Sequence, residues 1–257
     1  MEAHGVTIAI PNWNHELLLP RSVASALRTV RVLRGDGVPA EVLVVDDGSR
    51  DGSVTLLRQL EALHYEDGLR VLARRANAGL AAARNLALEQ ARHRYVAFLD
   101  ADNELLPATM PLFRRAALAT GAAAVYGNLL VRHLAARTAC DVLSNESFQQ
   151  RMFRANYIDA FALVDRLQVL DCGGYSDYIR THEDYELWLH LACSGRSLVF
   201  VPLIFGYYYR MPNSMLAESN QALINSRAKR VFDQFGCRQH LPPRTLHLRY
   251  HPATGPL

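Results

Sequence analysis

The first hundred residues alternate between short apolar runs and helical segments, and this alternation constrains the fold more than any other feature of the chain. The apolar runs at 6–11, 41–47, 69–74 and 95–100 predict strands. Strands joined by single helices at this spacing form right-handed βαβ units and hence a parallel sheet. Continuous apolar runs are typical of strands buried on both faces. The helices between these strands are predicted at 15–34, 53–63 and 79–91.

The second half of the 257-residue chain is less regular. Its apolar runs predict strands at 122–131, 156–165 and 197–203, and a helix at 183–193. An amphipathic helix is predicted at 216–235, where Gly236 ends it. The tail that follows is rich in proline, arginine and histidine and has no periodicity, so we expect an extended surface segment.

Composition excludes several classes of protein. Half of the residues are hydrophobic and 21% are charged, which is typical of a soluble globular protein. The formal net charge of +3 is too small to indicate a nucleic-acid-binding protein. The four cysteines have no C-x-x-C spacing, which argues against a zinc ribbon and favours a reduced protein. With no signal-peptide pattern and no apolar stretch long enough to span a bilayer, we expect a cytoplasmic protein, and attachment to the inner face of the membrane is left open.

Polar loops follow all four predicted strands of the first half. They read "PNWN", "DDGSRDGS", "RRANAGLAAAR" and "DADN". Because ligands bind outside the carboxyl ends of parallel strands, these loops should converge on one ligand site. Neither G-x-G-x-x-G nor G-x-x-x-x-G-K is present after the first strand, so dinucleotide and P-loop fingerprints are absent.

Two carboxylates, Asp100 and Asp102, end the fourth strand. In an extended segment, residues i and i+2 face the same way, so both side chains would aim at one point. Their mutual repulsion favours a shared cation, and oxygen ligands suit Mg²⁺ or Mn²⁺. The alternative is that Asp100 caps a turn and Asp102 or Asn103 caps a helix that begins near Leu105.

Two further motifs allow both a functional and a structural interpretation. An acid of "DDGSRDGS" would accept a hydrogen bond from a nucleobase while Trp13 stacks on the base, or these residues form turns and Trp13 packs on the first helix. Glu183 and Asp184 would act in catalysis, or they stabilise a helix N-terminus by roughly 0.3–1 kcal/mol. "HEDYE" lacks the second histidine of H-E-x-x-H, which excludes a zinc protease.

Six stretches in this order resemble the inverting, nucleotide-sugar-dependent glycosyltransferases of family 2, which have the GT-A type fold. They are "VTIAIPNWNHE", "EVLVVDDGSRDGS", "ANAGLAAARNLAL", "YVAFLDADN", "GGYSDYIRTHEDYELWLHL" and "YYYRMPNS". The resemblance implies an α/β, Rossmann-like, mostly parallel sheet flanked by helices, with a mixed acceptor-binding second half. It divides the chain into a single GT-A type domain at 1–215, with a nucleotide-sugar half at 1–120 and an acceptor half at 121–215, and a C-terminal helix and tail at 216–257.

The resemblance also implies roles for individual residues. The nucleotide-sugar site would be formed by Pro11, Trp13, Asn14, Glu16, Asp47, Asn77, Gly79, Arg84, Asp100 and Arg210. Asp102 would be the more direct ligand of a Mn²⁺ or Mg²⁺ ion, with Asp100 beside it. Asp184 would be the catalytic base, next to Glu183. The acceptor side would be shaped by Gly173, Gly174 and Trp188.

The activity implied by the resemblance is a metal-dependent single displacement, with inversion, from a UDP-, GDP- or dTDP-linked sugar to an acceptor hydroxyl. The acceptor would be a glycan, a lipid-linked molecule or a small molecule, and no nucleic acid is involved. The helix at 216–235 offers a surface for peripheral membrane contact or for a homodimer. The chain departs from the family in lacking a histidine in "RMPNS" and in carrying tryptophan where tyrosine is more usual. The alternatives are a sugar nucleotidyltransferase and a non-catalytic nucleotide-sugar-binding module.

Overall fold

The structure is a computed structural model. It describes residues 4–133, 139–144, 146–148, 152, 156–176, 182–210, 250–251 and 255–256. The helix predicted at 216–235 and most of the predicted tail lie outside the described residues. Within the tail, the strands β10 (Tyr250–His251) and β11 (Gly255–Pro256) form a short antiparallel pair.

The first half has the predicted alternation of strands and helices. Its elements are β1 (Val6–Asn12), α1 (Leu19–Gly35), β2 (Ala40–Asp46), α2 (Ser53–His64), β3 (Leu69–Ala73), α3 (Leu80–Gln90) and β4 (Tyr95–Phe98). The four strands are parallel and lie in the order β3-β2-β1-β4. Helix α1 begins four residues later than predicted, with Pro20 in its first turn, where a missing N–H costs nothing.

The second half extends the same sheet with antiparallel and parallel strands. Its elements are β5 (Glu104–Leu105), α4 (Met110–Thr120), β6 (Ala124–His133), β7 (Ala139–Leu143), β8 (Leu163–Asp165), α5 (Arg166–Asp171), α6 (Glu183–Cys193) and β9 (Leu198–Arg210). The sheet order is β3-β2-β1-β4-β8-β6-β9-β5, and β7 pairs with β6. The predicted fold class, a mostly parallel α/β sheet flanked by helices with a mixed second half, is confirmed.

Helices cover both faces of the sheet, which explains the continuous apolar strands. On β2, Val42 and Val44 lie in the hydrophobic cluster under α1, whereas Leu43 and Val45 lie in the opposite cluster, which includes α3 and α6. Successive strand residues face opposite sides, so a strand that is buried on both sides needs apolar residues at every position. None of the helices in the described ranges is long and apolar enough to cross a membrane.

Three elements of the second half differ from their predictions. The strand predicted at 156–165 is reduced to β8, because residues 156–161 form turns closed by their own side chains. The helix predicted near Leu105 begins only at Met110. Strand β9 runs through Pro202 and Gly206 to Arg210, where Gly206 lets the strand lie close to the Glu104 carbonyl.

Candidate active site

The loops at the carboxyl ends of β1 and β2 bind each other directly. The side chain of Asn12 donates to Asp46 Oδ2 at 2.8 Å, and the backbone of Asn14 donates to Ser49 Oγ at 2.9 Å. Glu16 accepts a hydrogen bond from the Gly52 amide at 3.0 Å. These contacts join the two polar loops. Asn14 and Glu16 therefore hold the loops in place.

Trp13 stands out in this loop because its side chain is 48% exposed. Pro11, two residues earlier, is buried as part of β1. About half of the indole surface is therefore accessible to a ligand, whatever the rest of the ring packs against. An exposed aromatic face at the ligand-binding edge of a parallel sheet is suited to stacking on a planar ring.

Asp47 connects the end of β2 to the start of α3. Its buried carboxylate accepts hydrogen bonds from the amides of Ala78 at 3.1 Å and Gly79 at 2.7 Å, and it lies 3.2 Å from Arg74. Gly79 has a φ of 99°, which favours glycine. A carboxylate accepts about four hydrogen bonds, so Asp47 keeps capacity for one more donor. Asn77 lies exposed in the same loop.

Asp100 and Asp102 lie in a turn, not in the extended segment that their spacing predicted. Strand β4 ends at Phe98, and the Asn103 amide donates to the Asp100 carbonyl at 3.0 Å. The two carboxylates are nevertheless neighbours. Burial, and then the charge of Asp100, raise the pKa of Asp102 to about 7. The charge of Asp100 therefore acts on Asp102 within this turn, and their joint binding of one cation stays a prediction.

Arg84 is the buried cation behind these acids. Its side chain is 2% exposed, and its guanidinium donates to Glu183 and, at 2.9 Å, to Asp100 Oδ1. The rings of Tyr175 and Phe98 flank it at 5.5 and 5.9 Å. Arg84 therefore ties α3, the turn after β4 and the start of α6 together. Both ends of its guanidinium bind protein carboxylates, and its predicted place at the border of a diphosphate stays a prediction.

Helix α6 places Glu183 and Asp184 at its first turn, as predicted. Glu183 is buried against Arg84, whereas Asp184 keeps partial exposure and accepts a hydrogen bond from Asn156 Nδ2 at 3.3 Å. Burial raises the pKa of Asp184 to about 7, and the charges of Glu183 and Asp159 add to this. A carboxyl group with a pKa near neutrality is better matched to proton transfer than an ordinary aspartate.

Three residues beside these acids were not predicted from the sequence. Asp159 lies close to both Asp100 and Asp184, and burial followed by the charge of Asp100 raises its pKa to about 6. Burial raises the pKa of Tyr208, as do the neighbouring charges of Asp159 and Asp100, so this β9 side chain faces the same cluster. The third of these residues is Asn156, which donates to Asp184. Asn and Asp three positions apart in "NYIDAF" were the available signal, because such residues favour Asx turns over strands.

The C-terminal end of β9 is bound to the turn that carries the acids. The Tyr209 amide donates to Asn103 Oδ1 at 3.0 Å, and its hydroxyl donates to Glu104 Oε2 at 2.7 Å. The Arg21 guanidinium lies 3.6 Å above the Tyr209 ring and donates to the Asp102 carbonyl. These contacts bring Arg210, which is exposed, to the same edge of the sheet.

The predicted acceptor-side residues separate into two groups. Gly173 and Gly174 have φ values of 90° and 71°, and a Cβ on Gly174 would lie 2.6 Å from Asn85 Oδ1. Asn85 in turn binds both backbone groups of Tyr175, at 2.7 and 2.8 Å. The prediction for Trp188 is wrong: its side chain is fully buried in the core and its indole donates to the Ile158 carbonyl at 3.1 Å.

The acids of this edge outnumber the buried cation beside them. The carboxylates are Asp100, Asp102, Asp159, Glu183 and Asp184, and Arg84 is the buried arginine among them. The part of the chain that the structure describes contains no cluster of three or more His, Cys, Asp or Glu side chains arranged as a metal site. The donor set of Asp100 and Asp102 still fits a hard divalent cation, because it consists of neighbouring carboxylate oxygens, and the charge of Asp100 helps to raise the pKa of Asp102.

Comparisons with known proteins agree with this architecture. The family model described as Glycosyl transferase family 2 matches residues 7–160. An undecaprenyl-phosphate 4-deoxy-4-formamido-L-arabinose transferase of Pseudomonas fluorescens is 37% identical over 255 residues, which cover 95% of this chain and 68% of that protein. Across the first curated relatives, the matched share of the relative's own length ranges from 25% to 68%.

Two solved structures share the fold. TarS 1–349 of S. aureus in complex with UDP-GlcNAc superposes with a TM-score of 0.66 at 14% identity, covering 90% of this chain and 71% of that one. The mannosyltransferase PcManGT from Pyrobaculum calidifontis, in complex with GDP-Man and Mn²⁺, superposes with a TM-score of 0.61 at 15% identity, covering 94% and 77%.

Proposed function

This chain belongs to glycosyltransferase family 2, and from that premise we propose that it transfers a sugar from a nucleoside-diphosphate sugar to an acceptor hydroxyl with inversion at the anomeric carbon. One observation carries the proposal. Asp184, with a pKa near 7, lies at the same edge of the sheet as the acidic turn that carries Asp100 and Asp102. A proton acceptor for the incoming hydroxyl, and near it a metal site that compensates the charge of the leaving diphosphate, are what a single displacement requires.

Asp184 accepts the proton of the acceptor hydroxyl as the new glycosidic bond forms. Asn156 holds Oδ2, and the Tyr185 amide binds Oδ1 at 2.7 Å, so the carboxylate has a defined orientation. Because one base on the face opposite the leaving group directs attack to that face, the product has the inverted configuration. The argument is analogous to the geometry of inverting glycosidases, in which water is the nucleophile.

Asp102 and Asp100 would hold a Mn²⁺ or Mg²⁺ ion. Such an ion, when bound, supplies positive charge that stabilises the departing nucleoside diphosphate. The complex of PcManGT with GDP-Man and Mn²⁺ supports this choice of metal by analogy of fold. Arg210, exposed at the end of β9, contributes a positive charge from the protein itself, and Asp47 and Trp13 bind the base by its edge and its face.

The acceptor belongs to the same proposal. The names of the relatives include an undecaprenyl-phosphate transferase and a succinoglycan biosynthesis protein, so we propose a lipid-linked or polysaccharide acceptor. The division into halves at 1–120 and 121–215 remains part of the proposal. Membrane or homodimer contacts through residues 216–235 are part of the proposal too, as is a cytoplasmic location.

A binding panel tests the proposed function without knowledge of the acceptor. We expect the melting temperature of the protein to rise with UDP-, GDP- or dTDP-linked sugars, because a ligand that binds only the folded state stabilises it. The rise should be larger with Mn²⁺ than with EDTA. A protein that binds none of these donors in Mn²⁺ would contradict the proposal.

Changing Asp102 to asparagine should weaken nucleoside-diphosphate binding in Mn²⁺ but have little effect in EDTA. In EDTA at pH 8 the same variant should melt at a higher temperature than wild type. The reason is that the folded-state pKa, about 7, lies above the ordinary aspartate value of 3.8, so stability falls as pH rises through 7. The difference in melting temperature should shrink towards pH 5. Equal melting temperatures at pH 8 would contradict the burial of this charge.

Trp13→Ala tests the base pocket separately from the acids. Loss of stacking should weaken binding of the nucleoside diphosphate by roughly 1–3 kcal/mol. Binding of inorganic diphosphate in Mn²⁺ should stay unchanged, because it has no ring to stack. Titration calorimetry with both ligands measures this, and an equal loss for both would show that Trp13 acts on the diphosphate side instead. Leu63→Ala, which removes another exposed apolar side chain, is the matched control.

A further inference from the structure

Asp159 is held rigidly in a segment that no sequence motif singles out. Its Oδ1 accepts a hydrogen bond from the Phe161 amide at 2.9 Å, which closes an Asx turn, and its own amide donates to Ser144 Oγ at 2.7 Å. The preceding residue, Ile158, is fixed by two further bonds: its amide donates to Asn156 Oδ1 at 3.1 Å and its carbonyl accepts the Trp188 indole N–H at 3.1 Å. The carboxylate therefore has a defined position.

That position lies between the acidic turn and the proposed base. On one side, the segment runs past the end of β4, because the Phe98 amide donates to the Ala162 carbonyl at 3.1 Å and Ala97 pairs with Leu163. Asp100 follows Phe98 by two residues. On the other side, Asn156 of the same segment binds Asp184. In the proposed reaction, the diphosphate lies beside Asp100 and the acceptor hydroxyl lies beside Asp184, so the transferred sugar lies between them.

One oxygen of Asp159 is left for a ligand. Oδ1 is used by the turn, whereas Oδ2 accepts no hydrogen bond and forms no close ion pair within the described part of the chain. The residue keeps partial exposure. A carboxylate oxygen in a partly buried site loses part of its hydration, and a ligand that supplies an N–H or O–H donor compensates for that loss.

We propose that Asp159 binds the transferred sugar, with Oδ2 accepting a hydrogen bond from a ring hydroxyl of the donor. This inference rests on the proposed function, because a nucleotide-sugar donor is what brings a sugar to this position. Asp159 is thereby a substrate-contacting residue that selects the donor sugar, distinct from the metal-binding acids and from the base.

The test compares a nucleoside diphosphate with its sugar conjugates. Binding of UDP, UDP-glucose and UDP-N-acetylglucosamine, and of GDP and GDP-mannose, is measured by calorimetry in Mn²⁺ for wild type and for Asp159→Asn. The asparagine keeps the Oδ1 acceptor and hence the turn. We expect affinity for the best-bound sugar conjugate to fall roughly tenfold or more, as for a lost hydrogen bond to a charged group, while affinity for the free diphosphate stays nearly unchanged.

Each other outcome has a distinct meaning. An equal loss for the diphosphate and its conjugate would overturn the proposal, since Asp159 would then act on the diphosphate or the metal. Unchanged affinity for both would also overturn it. Wild-type protein that binds no nucleoside diphosphate at all would instead remove the proposed function. Asp159→Ser, whose hydroxyl also closes such a turn, is the second variant if asparagine impairs folding, and Asp36→Asn, on the exposed end of α1, is the control.

Discussion

Replacing Asp184 with asparagine should lower the rate of sugar transfer by roughly a hundredfold to ten-thousandfold, the range that a positioned general base contributes. The amide has the same shape but cannot accept the proton of the acceptor hydroxyl. Binding of the nucleoside diphosphate should be nearly unaffected, because Asp184 lies on the acceptor side of the cleft, next to Asn156. Transfer is measured under single-turnover conditions and binding by calorimetry.

The pH dependence of transfer provides a second readout for Asp184. The carboxyl group is active only when it is deprotonated, and its pKa is raised to about 7, so the wild-type rate should fall as the pH drops below 7. The residual activity of Asp184→Asn should lack this dependence. Asp171→Asn, at a side chain that is 74% exposed, should retain both full activity and the wild-type pH profile. An Asp184→Asn variant as active as that control would show that the base is elsewhere.

Removing the buried cation should have the largest effect on stability. Arg84→Met is expected to lower the free energy of unfolding by roughly 3–5 kcal/mol, because Glu183 and Asp100 would remain without their buried partner. Arg31→Met is the matched control: its side chain is 60% exposed and it pairs with Asp67 at 3.2 Å. An exposed pair of this kind contributes about 1 kcal/mol or less. Urea unfolding followed by circular dichroism measures both variants.

A double-mutant cycle identifies the partner. Glu183→Gln removes one of the charges that Arg84 compensates, so Arg84→Met should cost less in the Glu183→Gln background than in wild type. Arg84→Met should likewise cost less in an Asp100→Asn background than in wild type. If Arg84→Met costs no more than Arg31→Met, the arginine does not tie the acids together, and the orientation of α6 must have another cause.

The regular part of the fold could be predicted from the sequence because its signals are local. Strands β1 to β4 are apolar at every position, and the polar residues after them fall at one edge. Segment 156–161 misled the prediction because its apolar residues resemble a strand, whereas Asn156 and Asp159 close turns with their own side chains. The competing hydrogen bonds of those two side chains outweighed the apolar pattern.

The site was less predictable, because its contacts join residues far apart in the chain. Arg84 meets Glu183 across 99 positions, and no local pattern indicates that its guanidinium is buried behind the acids. The helical spacing of Trp188 is compatible with a cleft wall or with the core. In the structure it lies in the core, where its indole N–H donates to the Ile158 carbonyl. Asp100 and Asp102 came together for a different geometric reason from the one predicted, a turn in place of a strand.

A crystal structure with Mn²⁺ and the nucleoside diphosphate that binds most tightly tests the central claim most directly. We expect an anomalous manganese peak coordinated by a carboxylate oxygen of Asp102 or Asp100 and by an oxygen of the diphosphate, with Asp184 facing open space on the far side of the sugar position. A bound diphosphate with both carboxylates turned away from it, and no manganese peak between them, would contradict the account.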